Sequence, residues 1–154
     1  MKFSDSLDRK LEEIQRPPNP PIGTYQWAVE KTPAYEEFTS KAGDGFEKLT
    51  FLLSCVEATD DVDPDDLAAY GNVQGMKQRK QFFFPTGDDK ATEYARSEFN
   101  LRRFLDHLGI DETLSLGEAI NACVGSQCLA ELTHRPDPND DEIVYAEVGR
   151  TAPV

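Results

Sequence analysis

The sequence predicts a mainly β fold with helices inserted among the strands. Five segments alternate apolar and polar residues with the two-residue period of a strand. One long segment, Ala91–Leu108, instead carries an apolar stripe at helical spacing. Clusters of Gly, Pro, Asn and Asp punctuate the segments. With 154 residues, the chain is the length of one domain. That length allows about two-thirds of the unfolded surface to be buried.

The elements follow in order. Ser4 can cap a helix running to about Gln15, with Leu7, Leu11 and Ile14 on one face and Asp5 and Asp8 suiting its positive end. Arg16-Pro-Pro-Asn-Pro-Pro21 stops it and reads as a stiff linker. The predicted organisation is therefore residues 1–20 as helix and connector, then residues 21–154 as the folded domain.

Gly23–Lys31 is the first predicted strand, with Tyr25, Trp27, Val29 and Lys31 sharing a face. Pro33 ends it, and Thr39–Gly45 reads as a turn. Phe46–Glu57 is the second, long enough to be a spine. Leu49, Phe51, Leu53 and Cys55 lie on one of its faces, and Lys48, Thr50, Leu52 and Ser54 on the other. Apolar residues on both faces leave open which one is inside. Asp63 with Pro64 suits the start of a short helix ending near Tyr70. The surrounding acidic run lacks the glycine and the final glutamate of a calcium loop.

Met76–Phe84, MKQRKQFFF, is the third strand and a basic, aromatic island in an acidic protein. Lys77, Arg79 and Phe83 point to one face, and Gln78, Lys80, Phe82 and Phe84 to the other. The long helix follows, with Phe99, Phe104, Leu105 and Leu108 in its stripe, Leu101 near the edge, and Gly109 as its stop. Ser115–Cys123 is a shorter helix. Gln127–Thr133 and Ile143–Val148 are the last two strands, with a loop at Arg135–Glu142. Five strands with helices before the last two fit a five-stranded Greek-key barrel of the OB type.

The formal net charge is −13, unevenly spread. Residues 76–103 carry seven basic and four acidic groups, whereas both flanking regions are strongly acidic. Screening over about 8 Å at physiological salt lets a local positive groove work in such a body. No apolar run is long enough for a transmembrane helix, and MKFSDSLDRKLEEI lacks the apolar core of a secretory signal. The expectation is a cytoplasmic protein with no membrane partner.

Three cysteines cannot all pair, and Cys123 and Cys128 form a single tight spacing where a zinc site usually shows two. They read as reduced, buried small hydrophobes. No phosphate-binding glycine loop, zinc-protease helix or serine-nucleophile elbow is present. The expectation is a non-enzyme with no cofactor and no metal.

The order of segments resembles the bacteriophage-encoded OB-fold single-stranded DNA-binding proteins over about Pro21–Pro153. The resemblance rests on Pro-x-Gly-x-Tyr at Pro21–Tyr25 and Lys-x-Gly at Lys41–Gly43. It continues through Phe104-Leu-Asp-His-Leu-Gly109, Leu116-Gly117 and a last strand closing in a proline. It implies a protein that coats single-stranded DNA in phage replication, recombination or repair, in the host cytoplasm, without chemistry of its own.

Phosphate-neutralising candidates are Lys31, Lys48, Lys77, Arg79, Lys80, Arg102 and Arg103; candidates for base stacking are Tyr25, Trp27, Phe51 and Phe83. For Arg102 and Arg103 a solvated helix face is an equal reading. Replication or recombination proteins would be recruited through the acidic segments Glu57–Asp66 or Asp137–Glu142, and a homodimer is compatible with the sequence. The competing expectation is an acidic interaction protein, a DNA mimic that occupies a host partner. The net charge favours it, and the basic strand argues against it.

Overall fold

The computed structural model describes residues Met1–Val154. The protein is mainly β, with six strands in one antiparallel sheet and three α-helices. The strands are β1 (Gly23–Val29), β2 (Ala34–Thr39), β3 (Gly45–Ala58), β4 (Lys77–Pro85), β5 (Gln127–Asp137) and β6 (Asp140–Ala152). The helices are α1 (Pro64–Tyr70), α2 (Ala91–His107) and α3 (Leu116–Ala122). None is long and apolar enough to cross a membrane.

β3 is the spine. Along one edge its first half pairs β2 and its second half pairs β1; along the other edge it pairs β4 from Phe46 to Ser54. β1 continues to β5, and β5 to β6. Successive antiparallel pairings leave β4 and β6 running in the same direction on opposite margins.

Four expectations are corrected. The barrel is not closed, because no ladder joins β4 to β6. The strands number six, not five, since AYEEFT pairs with GFEKLT across the turn at Ser40–Asp44. The N-terminal helix is absent; only 3-10 turns at Phe3–Ser6 and Leu11–Glu13 form. A short helix with nothing covering its apolar stripe gains too little to offset the cost of nucleation. The loop expected at Arg135–Glu142 is also mostly strand, the tip of a long β5–β6 hairpin.

The core lies on the face of the sheet covered by α2 and α3. Tyr25, Trp27 and Val29 of β1, Leu49, Phe51, Leu53 and Cys55 of β3, and Phe82 of β4 meet Leu101, Phe104, Leu105 and Leu108. Phe51 and Phe104 stack edge-on at 4.9 Å between ring centroids. Leu101, expected near the stripe's edge, is buried, while Phe99 is exposed. All three cysteines are free and buried. Asp63 caps α1 by accepting from the Asp65 and Asp66 amides, with Pro64 in the first turn. Gly23, at φ +142°, lies so close to Val62 that a Cβ would stand 2.6 Å from its Cγ2. That close approach requires glycine in the Pro-x-Gly-x-Tyr stretch.

Candidate nucleic-acid interface

The solvent face of β2, β3 and β4 is built by strand alternation. On β4, Lys77, Arg79, Gln81 and Phe83 are exposed, and the intervening side chains turn inward. Register sets Lys77 opposite Ser54, Arg79 opposite Leu52, Gln81 opposite Thr50 and Phe83 opposite Lys48. On β2, Glu36 stands opposite Lys48 and Phe38 opposite Phe46.

Two zones result. Toward the β2–β3 turn, Phe38, Phe46 and Phe83 form an aromatic cluster with centroids 5.8–6.3 Å apart. Phe38 and Phe83 each keep about 40% of their surface exposed. Toward the start of β4, a groove of about 480 Å³ runs between β4 and the β5–β6 hairpin. Leu52, Lys77, Arg79, Gln81, Arg135 and Glu147 line it.

Most of its cations are already paired. Lys48 Nζ lies 3.0 Å from Glu36 and over the Phe38 ring at 5.4 Å. Lys77 Nζ donates to Glu30 at 2.6 Å, and Arg135 lies 3.1 Å from Glu147. Arg79 is exposed and makes no ion pair or side-chain hydrogen bond. Lys31, just past β1, is likewise exposed and unpaired.

The other predicted residues lie elsewhere. Tyr25, Trp27 and Phe51 are fully buried and cannot stack on a base. Of the two faces of β3, the Phe51 face packs against α2, and β1 follows the same side. The Tyr25 hydroxyl donates to the Pro21 carbonyl at 2.6 Å, and Trp27 Nε1 to that of Ala130 at 3.2 Å. Both polar tips are thereby satisfied inside. Lys80 points inward, and desolvation holds its pKa below the usual lysine value. Arg102 and Arg103 are exposed on α2 and line a separate groove between α2 and α3.

Sequence reasoning missed Phe38, Phe46, Arg135 and Tyr145. Phe38 was legible in principle, because AYEEFT and GFEKLT flank a Gly-containing turn as hairpin strands do. Arg16 and Arg135 both lie over the Tyr145 ring, with guanidinium carbons 5.1 and 5.9 Å from its centroid. Its hydroxyl donates to Asp137 at 3.0 Å, and that carboxylate pushes the tyrosine pKa up. No local pattern marks the long-range contact of Arg16 with Tyr145.

The two acidic segments differ in their use. Asp61 accepts from the Thr24 amide and hydroxyl, both at 2.7 Å, which pulls its pKa down. It ties α1's approach to β1. Asp140, Asp141 and Glu142 at the hairpin tip are exposed. Comparison with protein-family models and with curated proteins gives no match for this chain.

Proposed function

We propose that this protein binds single-stranded DNA without sequence preference, as an OB-type module with no chemistry of its own. Support for the OB reading is the order β4-β3-β1-β5-β6, with margins running parallel and α2 inserted before the last two strands. The observation that carries the function is the solvent face on which Gln81 and the unpaired Arg79 lead into the exposed rings of Phe83 and Phe38. Single strands need that pairing of cation track and flat rings. In this reading Arg79, Lys77, Lys48 and Arg135 neutralise phosphates, and Phe38 and Phe83 stack bases. Within this reading, the sequence resemblance to phage single-stranded DNA-binding proteins supports a role in phage DNA replication, recombination or repair.

Fluorescence anisotropy of labelled dT30 against duplex and RNA of equal length, at two salt concentrations, tests it. The expected result is salt-sensitive binding to dT30 in preference to duplex. Absence of binding at low salt overturns it.

The second reading, an acidic protein that binds a basic host partner, is favoured by one observation. Three cations of the interface are held by carboxylates, Glu36, Glu30 and Glu147. Failure to bind any oligonucleotide, with capture of a basic partner, would support that reading.

A further inference from the structure

β2 lies at the margin of the sheet and pairs β3 alone. All of its residues, Ala34–Thr39, are exposed, and Tyr35 keeps 74% of its surface. None of their backbone groups bonds outside the β2–β3 ladder.

The alternation of the ladder shows which groups are free. The Thr86 amide donates to the Gly45 carbonyl at 3.1 Å, and the Cys55 amide to that of Met76 at 2.8 Å. The odd-numbered residues of β3 therefore turn their backbone groups toward β4. Phe46, Lys48 and Thr50 turn theirs toward β2, onto Phe38, Glu36 and Ala34. Tyr35, Glu37 and Thr39 are left with N–H and C=O aimed off the sheet. Such an edge is a template for one more strand.

Charge decides which strand. Glu36 and Glu37 are the charged residues of β2, and Lys48 already neutralises Glu36. Glu37 stands opposite Glu47 in a pair without mutual hydrogen bonds, the spacing at which side chains come closest. Neither carboxylate is in an ion pair. Like charges so placed destabilise a sheet. The flanking loops add no clear sign. Lys31 precedes β2, Lys41 and Asp44 share the β2–β3 turn, and Asp88 and Lys90 lie beside Glu47 ahead of α2.

We propose that β2 takes up an extended basic segment of a partner protein as an added strand. Lysine or arginine at every second residue of that segment faces Glu37 and Glu47, and the apolar residues between them face Ala34 and Phe38. In such strand addition, main-chain bonds give affinity and alternate side chains give selectivity. A second copy of this chain fits poorly. Antiparallel pairing over most of β2 sets Glu37, or else Glu36, against its own symmetry mate. Nucleic acid offers no peptide groups to the edge, and its phosphates repel both carboxylates. The inference is independent of the DNA-binding reading.

A fluorescein-labelled octapeptide of alternating lysine and valine, titrated against the full chain, tests it. The expected result is a Kd of about 1–100 μM, and no binding of the glutamate–valine counterpart. In the amide-exchange spectrum, Tyr35, Glu37 and Thr39 become protected on binding, while Glu36 and Phe38 are protected already. Two further peptides keep every charge but are N-methylated on all lysine or on all valine amides. One loses binding and the other keeps it, since an added strand uses a single edge. Glu37→Lys removes the charge match, and Glu37→Pro removes an outward donor without touching the β2–β3 ladder. Each weakens binding at least about tenfold with the melting temperature little changed. Three results would overturn the proposal. They are no binding of the lysine–valine peptide, binding indifferent to N-methylation on either edge, and protection of the three amides in the free protein through self-association.

Discussion

Lys80 spans the open seam of the sheet, donating from Nζ on β4 to the carbonyl of Gly149 on β6 at 3.1 Å. No backbone ladder joins these two strands, so one side chain and the cover of α2 hold them together. His107 of α2 adds a second tie, with Nδ1 2.7 Å from the Thr151 hydroxyl on β6. A charged donor on a carbonyl in a half-buried place contributes more than an ordinary surface contact.

Lys80→Ala is therefore expected to lower stability by about 1–3 kcal/mol. It should also speed hydrogen exchange across Gly149–Thr151. Urea unfolding and amide exchange read the two effects. Unchanged exchange in β6 would mean that α2 alone holds the seam.

Trp27 is expected to report the core and not the ligand. It is fully buried, with its indole nitrogen bonded to Ala130. Its emission should be blue-shifted, resist acrylamide, and stay constant on addition of saturating dT30. Quenching by the oligonucleotide would return Trp27 to the interface and reverse the assignment of faces.

The strand alternation on β1, β3 and β4 was legible from sequence, down to which residues share a side. Which side faces inward was not, because β3 carries apolar residues on both. The choice is made by α2, whose Phe104 meets Phe51, and helix-to-sheet docking is not encoded in a strand's own period. The candidates therefore divide between the two faces. Lys77, Arg79 and Phe83 share the solvent face as expected, while Tyr25, Trp27 and Phe51 went to the core. β2 was missed because five of its six residues, Tyr35 to Thr39 included, give no clean alternation, and all six are exposed. Pairing with β3 rather than burial makes it a strand.

Arg79 and Glu30 should move DNA affinity in opposite directions. Arg79 is unpaired, so Arg79→Ala is expected to reduce the slope of log affinity against log salt by about 0.7. Lys77→Ala should have a smaller effect, because Glu30 already neutralises that ammonium. Glu30→Gln frees it and should tighten binding. Phe83→Ala should weaken dT30 binding by about 1–3 kcal/mol with little change in salt slope, as loss of a stacking ring does. Anisotropy titrations at several salt concentrations separate these outcomes. An Arg79→Ala slope equal to that of the unaltered protein would remove β4 from the phosphate track.

Stability is expected to fall steeply at alkaline pH. Burial raises the Cys55 and Cys128 thiols from an ordinary value near 9 to about 11, and the Tyr25 phenol from near 10 to about 12. Between the ordinary and the raised values, the unfolded chain has lost a proton that the folded chain still holds. The folded state thus binds more protons, and stability declines as pH rises through that window. Lys80 works the other way: its folded pKa lies below the ordinary lysine value, so the unfolded chain holds the extra proton there and stability gains with pH. Cys123 and Tyr145 are displaced upward as well, so five raised groups outweigh one lowered one. Urea midpoints should therefore be flat to about pH 8 and drop from about pH 9 to 11. Cys55→Ala with Cys128→Ala, whatever its cavity cost at neutral pH, should lessen the drop and leave the contributions of Cys123 and of the two raised tyrosines, the latter above about pH 10. An identical pH slope with and without the two thiols would show that their titration does not control the alkaline limit.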